Sequence, residues 1–87
     1  METNEILAER GKTHGDFAEN AVCSQNLKAI VYGHGCELLT PVQREALDNI
    51  CQKISRIITG NPNHKDSWVD IAGYATLAAR EIPDGNS

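Results

Sequence analysis

Four acidic residues have the spacing at which side chains on one helix face share a ligand. Glu45 and Asp48 lie three residues apart, and Asp66 and Asp70 lie four apart, so each pair shares a face of its helix. Carboxylate pairs on adjacent helices are a common way for a bundle to hold magnesium, because this hard cation binds oxygen ligands. The alternative is that these acids are solvated and that Asp70 forms an ion pair with Lys53.

The register of the two helices helps to decide between a magnesium site and an ion pair. If the two helices are antiparallel about a turn near residue 61 or 62, Lys53 lies level with Asp70, and Asp48 lies level with Ala75. At a rise of about 1.5 Å per residue, Asp48 is then roughly 7 Å along the axis from Asp70. This offset counts against a shared metal ion, and we expect Lys53 to lie within salt-bridge reach of Asp70.

Lys53 and Arg56 form a pair of cations near the end of the same helix, with Arg56 close to the level of Asp66. One interpretation is a partly buried ion-pair cluster that fixes the register of the helices. The other is a phosphate-binding site, to which Asn61 and His64 from the turn contribute further donors. The sequence leaves both interpretations open.

A second polar segment, His14-Gly15-Asp16, precedes a helix. It is either a turn with a capping aspartate and a histidine bonded to backbone, or a loop that folds over the mouth of the helical hairpin and contributes to the same site. Tyr74 lies one helical turn after Asp70, and its hydroxyl is expected to border this polar patch.

The elements that would position these residues can be read from start and stop signals. Thr40, followed by proline and by Gln43, has the pattern of a capping box with proline at the first helical position. It opens a helix over 41–59. The turn Gly60–Asn63 then leaves room only for a tight reversal, with Asn63 as the N-cap of a helix over 64–82.

Both helices of this hairpin are amphipathic, with apolar residues at helical spacing. The two inward stripes are Leu47, Ile50, Cys51, Ile54, Ile57 and Ile58, and Trp68, Ile71, Ala72, Ala75 and Ala79. Trp68 is expected to anchor the core. Gly73 lies inside the last helix, where glycine costs about 1 kcal/mol relative to alanine. This cost predicts that another helix approaches closely there.

Upstream of the hairpin we expect a short helix from Asn4 to Arg10 and a longer helix over 17–32, which Asp16 and Glu19 open as a capping box. The predicted inward stripe of the longer helix is Phe17, Ala21, Leu27 and Val31, flanked by Val22 and Ile30. No alternating run of β-branched residues is present. The sequence therefore predicts one all-α domain over 1–87, a small helical bundle with a C-terminal antiparallel hairpin.

Size and composition restrict the partners. The 87 residues are 40% apolar with few aromatics, and a domain this small is expected to bury part of its apolar surface against a second copy. We therefore expect a homodimer or higher oligomer that buries residues of the hairpin helices or of helix 17–32. The net charge of −4 and pI near 5.2 argue against binding to nucleic-acid backbones or anionic membranes.

Cysteine usage and hydropathy predict the compartment. The three cysteines form an odd set without CxxC spacing, which is typical of a reducing cytoplasm. The N-terminus lacks a signal-peptide pattern, and no apolar run approaches membrane length. We expect a soluble cytoplasmic protein.

Three segments carry a family resemblance: ERGKTHGDFAENA, QREALDNICQKISRI and GNPNHKDSWVDIAGYATLAA. Together they resemble a family of small proteins of tailed phages and prophages, which is itself similar to the all-α MazG-like nucleoside triphosphate pyrophosphohydrolases. The resemblance implies a MazG-like helical fold, frequent dimerisation, an infected bacterial host, and magnesium-dependent release of pyrophosphate from nucleotides.

The hallmark of the MazG-like enzymes is an ExxE pair on one helix and an ExxD pair on the next. Glu45 matches the first acid, and Asp48 replaces the second glutamate. On the following helix Asp70 matches, whereas Ser67 stands where the remaining acid would be. The chain thus keeps three carboxylates of the four, one of them shortened.

Two hypotheses follow. In the first hypothesis, the protein binds a nucleotide, and an active form of it also hydrolyses that nucleotide. Magnesium is then held by Glu45, Asp48 and Asp70, and Lys53 and Arg56 hold the phosphates. In the second, it is a non-catalytic phage accessory protein that inhibits a host defence or replication protein by direct contact.

Overall fold

The computed structural model describes residues 16–85 and contains three helices in that range. They are α1 (Phe17–Gly33), α2 (Pro41–Thr59) and α3 (Lys65–Arg80). Residues 16–85 contain no strand, which confirms the all-α prediction for this part of the chain. The predicted helix Asn4–Arg10 and His14 lie outside the described residues.

Helix α2 begins and ends at the predicted residues because its ends carry strong local signals. The Thr40 side chain accepts from the Gln43 backbone N–H at 3.1 Å, and the Gln43 side chain accepts from the Thr40 N–H at 3.0 Å. This reciprocal capping box satisfies two backbone donors that the first turn leaves without partners. Helix α1 opens similarly, since the Asp16 carboxylate accepts from the Glu19 N–H at 3.2 Å.

The turn between α2 and α3 differs by one residue from the prediction. The Asn61 side chain accepts from the Asn63 N–H at 2.9 Å, and the Asn61 carbonyl accepts from the His64 N–H at 3.2 Å. These bonds place Asn63 inside the turn, so His64 takes the N-cap position that we predicted for Asn63.

Helix α3 also ends two residues earlier than predicted. The N–H groups of Glu81 and Ile82 each donate at 3.1 Å to a carbonyl three residues back. Such bonds tighten the last turn into 3₁₀ geometry, and the restriction that Pro83 places on the residue before it prevents helix from continuing.

Helix α2 is the central element. Both α1 and α3 pack against it, and within residues 16–85 α1 and α3 do not pack against each other. Both neighbours run antiparallel to α2. The described helices therefore form an open three-helix layer in which one helix makes all the interhelical contacts.

Polar groups dominate the contact between α1 and α2. The Ser55 hydroxyl, which is fully buried, donates to the backbone carbonyl of Asn20 at 2.7 Å and also lies against the Asn20 side-chain oxygen. Ser24 is buried on the same face. The predicted inward stripe of α1 is wrong at Phe17 and Val31, which are exposed, because α1 turns a hydrogen-bonding face toward α2 instead.

The apolar core is correspondingly small. Among the described residues only Ala46, Cys51 and Ile57 are buried apolar side chains. The prediction that Trp68 anchors the core is wrong: its side chain is largely exposed, because the indole N–H donates to the Pro62 carbonyl at 2.8 Å and so holds the ring beside the turn. Many large apolar side chains remain at the surface. No helix in the described range has the length and apolar character needed to cross a bilayer.

Candidate functional site

The predicted ion pair between the hairpin helices is present. Lys53 Nζ lies 2.9 Å from Asp70 Oδ2, with the Lys53 side chain 14% exposed and that of Asp70 44% exposed. This contact confirms the predicted antiparallel register of α2 and α3. Because the Lys53 ammonium is already paired and mostly buried, it is poorly placed to hold the phosphate of a ligand.

The three carboxylates predicted to hold magnesium each have a separate partner. The Asn49 side chain donates to Glu45 Oε2 at 3.2 Å, and the Tyr32 hydroxyl donates to Asp48 Oδ1 at 2.7 Å. Asp70 pairs with Lys53. Across residues 16–85 no three acidic, histidine or cysteine side chains converge as metal ligands, so the structure does not bring Glu45, Asp48 and Asp70 together.

Tyr32 and Asp48 are the centre of a polar contact between α1 and α2. The Tyr32 hydroxyl also lies 3.1 Å from the Arg44 carbonyl, and the Arg44 guanidinium lies 4.7 Å from the centre of the Tyr32 ring. Burial, together with the hydrogen bond to Asp48 and the charge of Asp48, raises the pKa of Tyr32 to about 12, while Arg44 acts in the opposite direction. Tyr32 therefore stays a neutral donor over the physiological range.

Arg56 lies away from the Lys53–Asp70 pair. It lines a groove between α1 and α2, and within residues 16–85 it makes no ion pair with Asp66 or any other carboxylate. The two cations predicted to act together thus serve different interfaces: Lys53 faces α3 and Arg56 faces α1.

The groove that contains Arg56, which we call the α1–α2 groove, has a volume of about 180 Å³. It combines an aromatic ring, side-chain amides and two cations. Its lining is Phe17, Asn20, Ala21, Ser24, Gln25, Lys28, Gln52 and Arg56. The sequence pattern did not indicate Lys28, Gln25 and Gln52, because α1 was expected to face α2 with its apolar residues.

Lys28 lies close to Cys51 on α2. Burial raises the pKa of the Cys51 thiol, and the positive charge of Lys28 counteracts part of that rise. Like Arg56, Lys28 has no carboxylate partner in the described part of the chain. The α1–α2 groove therefore carries two positive charges that no acid of residues 16–85 neutralises.

Four further predicted site residues serve other roles. Asn61 shapes the turn after α2, and Asp16 caps α1. Tyr74 lines a separate, mainly apolar groove of about 460 Å³ between the start of α2 and α3, which also contains Glu45. His64 is the N-cap residue of α3. None of these four lines the α1–α2 groove.

Comparison with known proteins assigns a family. The family described as domain of unknown function DUF6378 matches residues 2–82. The chain therefore belongs to that family. No curated protein and no solved structure matches it.

Proposed function

We propose that this protein binds a nucleotide, or a similarly phosphorylated small molecule, in the α1–α2 groove. The observation that carries the proposal is the presence of Lys28 and Arg56 in one groove without an acidic partner in the described range. Charge-assisted hydrogen bonds from such cations are the usual means of holding phosphate oxygens.

The remaining groove residues suit the other parts of a nucleotide. The Phe17 ring, 82% exposed at one end of the groove, offers a face on which a base can stack. The amides of Gln25 and Gln52 can donate to and accept from base edges or ribose hydroxyls. Aromatic, amide and cationic groups thus lie along one cleft in an otherwise acidic protein.

The size of the groove indicates how far it could enclose a ligand. Ligand sites that enclose a small molecule usually measure about 300–1,000 Å³, and this groove measures about 180 Å³. A nucleotide would therefore lie partly in solvent, and its contacts would be those of an open cleft. We expect micromolar rather than nanomolar binding.

The proposal is one of binding, with magnesium-dependent hydrolysis left as an outcome of the test. The resemblance to MazG-like enzymes supports a nucleotide as ligand. Glu45, Asp48 and Asp70, however, have separate partners, and holding magnesium would require these contacts to be exchanged for metal coordination.

Calorimetric titration with nucleoside mono-, di- and triphosphates, with and without magnesium, tests the proposal. Lys28→Gln and Arg56→Gln should each weaken binding about tenfold or more, because each removes a charged phosphate donor. Lys65→Gln is the matched control, since Lys65 is an exposed cation on α3 outside the groove. Absence of binding at millimolar nucleotide, or equal loss in all three variants, would refute the proposal.

A second candidate function is supported by the apolar surface of α1. Phe17, Val22 and Ile30 are all largely exposed, and exposed apolar side chains on one helix are typical of a protein-binding surface. A phage accessory protein that inhibits a host protein by contact would use such a surface. Loss of a stoichiometric complex with a purified host enzyme in Val22→Ser/Ile30→Ser, with nucleotide binding unchanged, would favour this function.

A further inference from the structure

One exposed face of α3, bordered at Leu77 by the groove between α2 and α3, has a self-complementary pattern. It carries Asp66, Val69, Gly73, Leu77 and Arg80, spaced by three or four residues. All five are exposed, with Val69 at 54% and Leu77 at 52%. Apolar residues therefore lie on either side of a central glycine, and opposite charges lie at the two ends.

Gly73 has no structural use within the described chain. A Cβ atom added there would meet no atom of residues 16–85 within 4 Å, and its backbone does not adopt a positive φ angle. Glycine in a helix interior weakens the helix. The space that Gly73 leaves is on the outer face, where another molecule can approach the backbone closely.

We propose that two copies of this chain pair through an antiparallel contact of α3 with α3, about a twofold axis that passes beside Gly73. Asp66 lies seven residues before Gly73 and Arg80 lies seven after it, while Val69 and Leu77 each lie four residues away. In the antiparallel pair, Asp66 therefore meets the partner's Arg80 and Val69 meets the partner's Leu77. The twofold axis repeats both contacts.

The charges at the two ends of this face favour the antiparallel orientation and a second copy of the chain as the partner. A parallel pair would place the two Asp66 carboxylates together and the two Arg80 guanidinium groups together, whereas the antiparallel pair joins opposite charges at both ends. An isologous dimer requires a self-complementary surface, because each residue of a contacting pair meets the other one on the partner. The face therefore fits a second copy of itself better than an unrelated partner.

Pairing through α3 would cover apolar surface that the protomer exposes, since Val69 is 54% and Leu77 is 52% exposed. A standard interface removes about 800 Å² from each partner. The pairing does not use the α1–α2 groove, so it stands independently of the proposed nucleotide binding.

Gly73→Gln is the first test, by sedimentation equilibrium without nucleotide. A Cβ atom at this exposed position meets no described atom, and glutamine favours helix more than glycine does, so the variant should fold. In the dimer the new side chain would lie at the axis and separate the helices, and we expect the dissociation constant to rise about tenfold or more. Ala29→Gln, at an exposed position of α1, should leave it unchanged.

Charge reversal tests the register. Asp66→Arg and Arg80→Asp should each weaken self-association about tenfold, because each places like charges together at both ends. A mixture of the two variants should recover wild-type association, since each supplies the charge that the other lacks. Wild-type protein that is monomeric at hundreds of micromolar, a dimer that Gly73→Gln does not weaken, or a mixture that associates no better than its components would overturn the proposal.

Discussion

Lys53 and Asp70 form an ion pair in which the cation is largely buried and the carboxylate is half exposed. The two ends of the contact are therefore not equivalent. Removal of the Asp70 charge leaves a buried ammonium without a partner, which costs more than the pair itself contributes.

Asp70→Asn should consequently lower the free energy of unfolding by about 1–2 kcal/mol, between the values typical of exposed and buried pairs. For a domain of this size that corresponds to roughly 5–10 °C in melting temperature. Glu45→Gln is the matched control, because the Glu45 carboxylate accepts one exposed hydrogen bond within its own helix, and the substitution should change stability by less than about 0.5 kcal/mol. Equal melting temperatures for the two variants would contradict the structural role of the pair.

Tyr32→Phe should destabilise the contact between α1 and α2. The substitution removes the 2.7 Å hydrogen bond to Asp48, and hydrogen bonds to charged groups contribute about 1.5–3 kcal/mol. Because this contact is only partly buried, urea denaturation should show a loss toward the lower end of that range, about 1–2 kcal/mol. Tyr74→Phe provides the comparison, since the Tyr74 hydroxyl makes no hydrogen bond within residues 16–85. A loss as large in Tyr74→Phe would show that the effect is not specific to the Asp48 contact.

The same tyrosine predicts an alkaline dependence of stability. The pKa of Tyr32 in the folded state is about 12, against an ordinary value of 10, so the folded protein holds this proton more tightly than the unfolded chain does. This contribution is complete below pH 10 and is lost as the pH rises through 12. Chemical denaturation between pH 9 and 12 should show stability falling in the wild type and in Tyr74→Phe, with a shallower fall in Tyr32→Phe.

Magnesium alone should not stabilise the protein. Glu45, Asp48 and Asp70 have separate partners and form no cluster of ligands, so millimolar magnesium without nucleotide should shift the melting temperature by less than about 1 °C. A larger rise that disappears in Glu45→Gln would show that the acids rearrange around the ion. Magnesium-dependent pyrophosphate release that Glu45→Gln abolishes would establish the hydrolytic form of the first hypothesis.

The hairpin was predictable because its signals are local. The capping box at Thr40 fixes where α2 begins, and the short turn fixes the register from which the Lys53–Asp70 contact follows. Each signal involves residues that are close in sequence, so no knowledge of the remaining fold is needed. The exact N-cap of α3 was missed because Asn61 bonds to Asn63 within the turn.

The position of α1 could not be predicted in the same way. Its apolar residues do not form one narrow stripe, and the contact with α2 depends on Asn20 and Tyr32 finding Ser55 and Asp48 on a helix distant in sequence. Polar residues on a helix are ordinarily assigned to the solvent side. The α1–α2 groove and Lys28 were missed for this reason, although Arg56 itself was predicted to bind phosphate.

The central position of α2 also determines how the described structure should open. Among the described helices α1 touches only α2, through a largely polar contact, so its detachment leaves the α2–α3 hairpin and the Lys53–Asp70 pair intact. Hydrogen exchange should then resolve two cooperative units, with the amides of α1 exchanging through a partial opening of lower free energy than those of α2. Ligands that bridge α1 and α2 would slow exchange chiefly in α1.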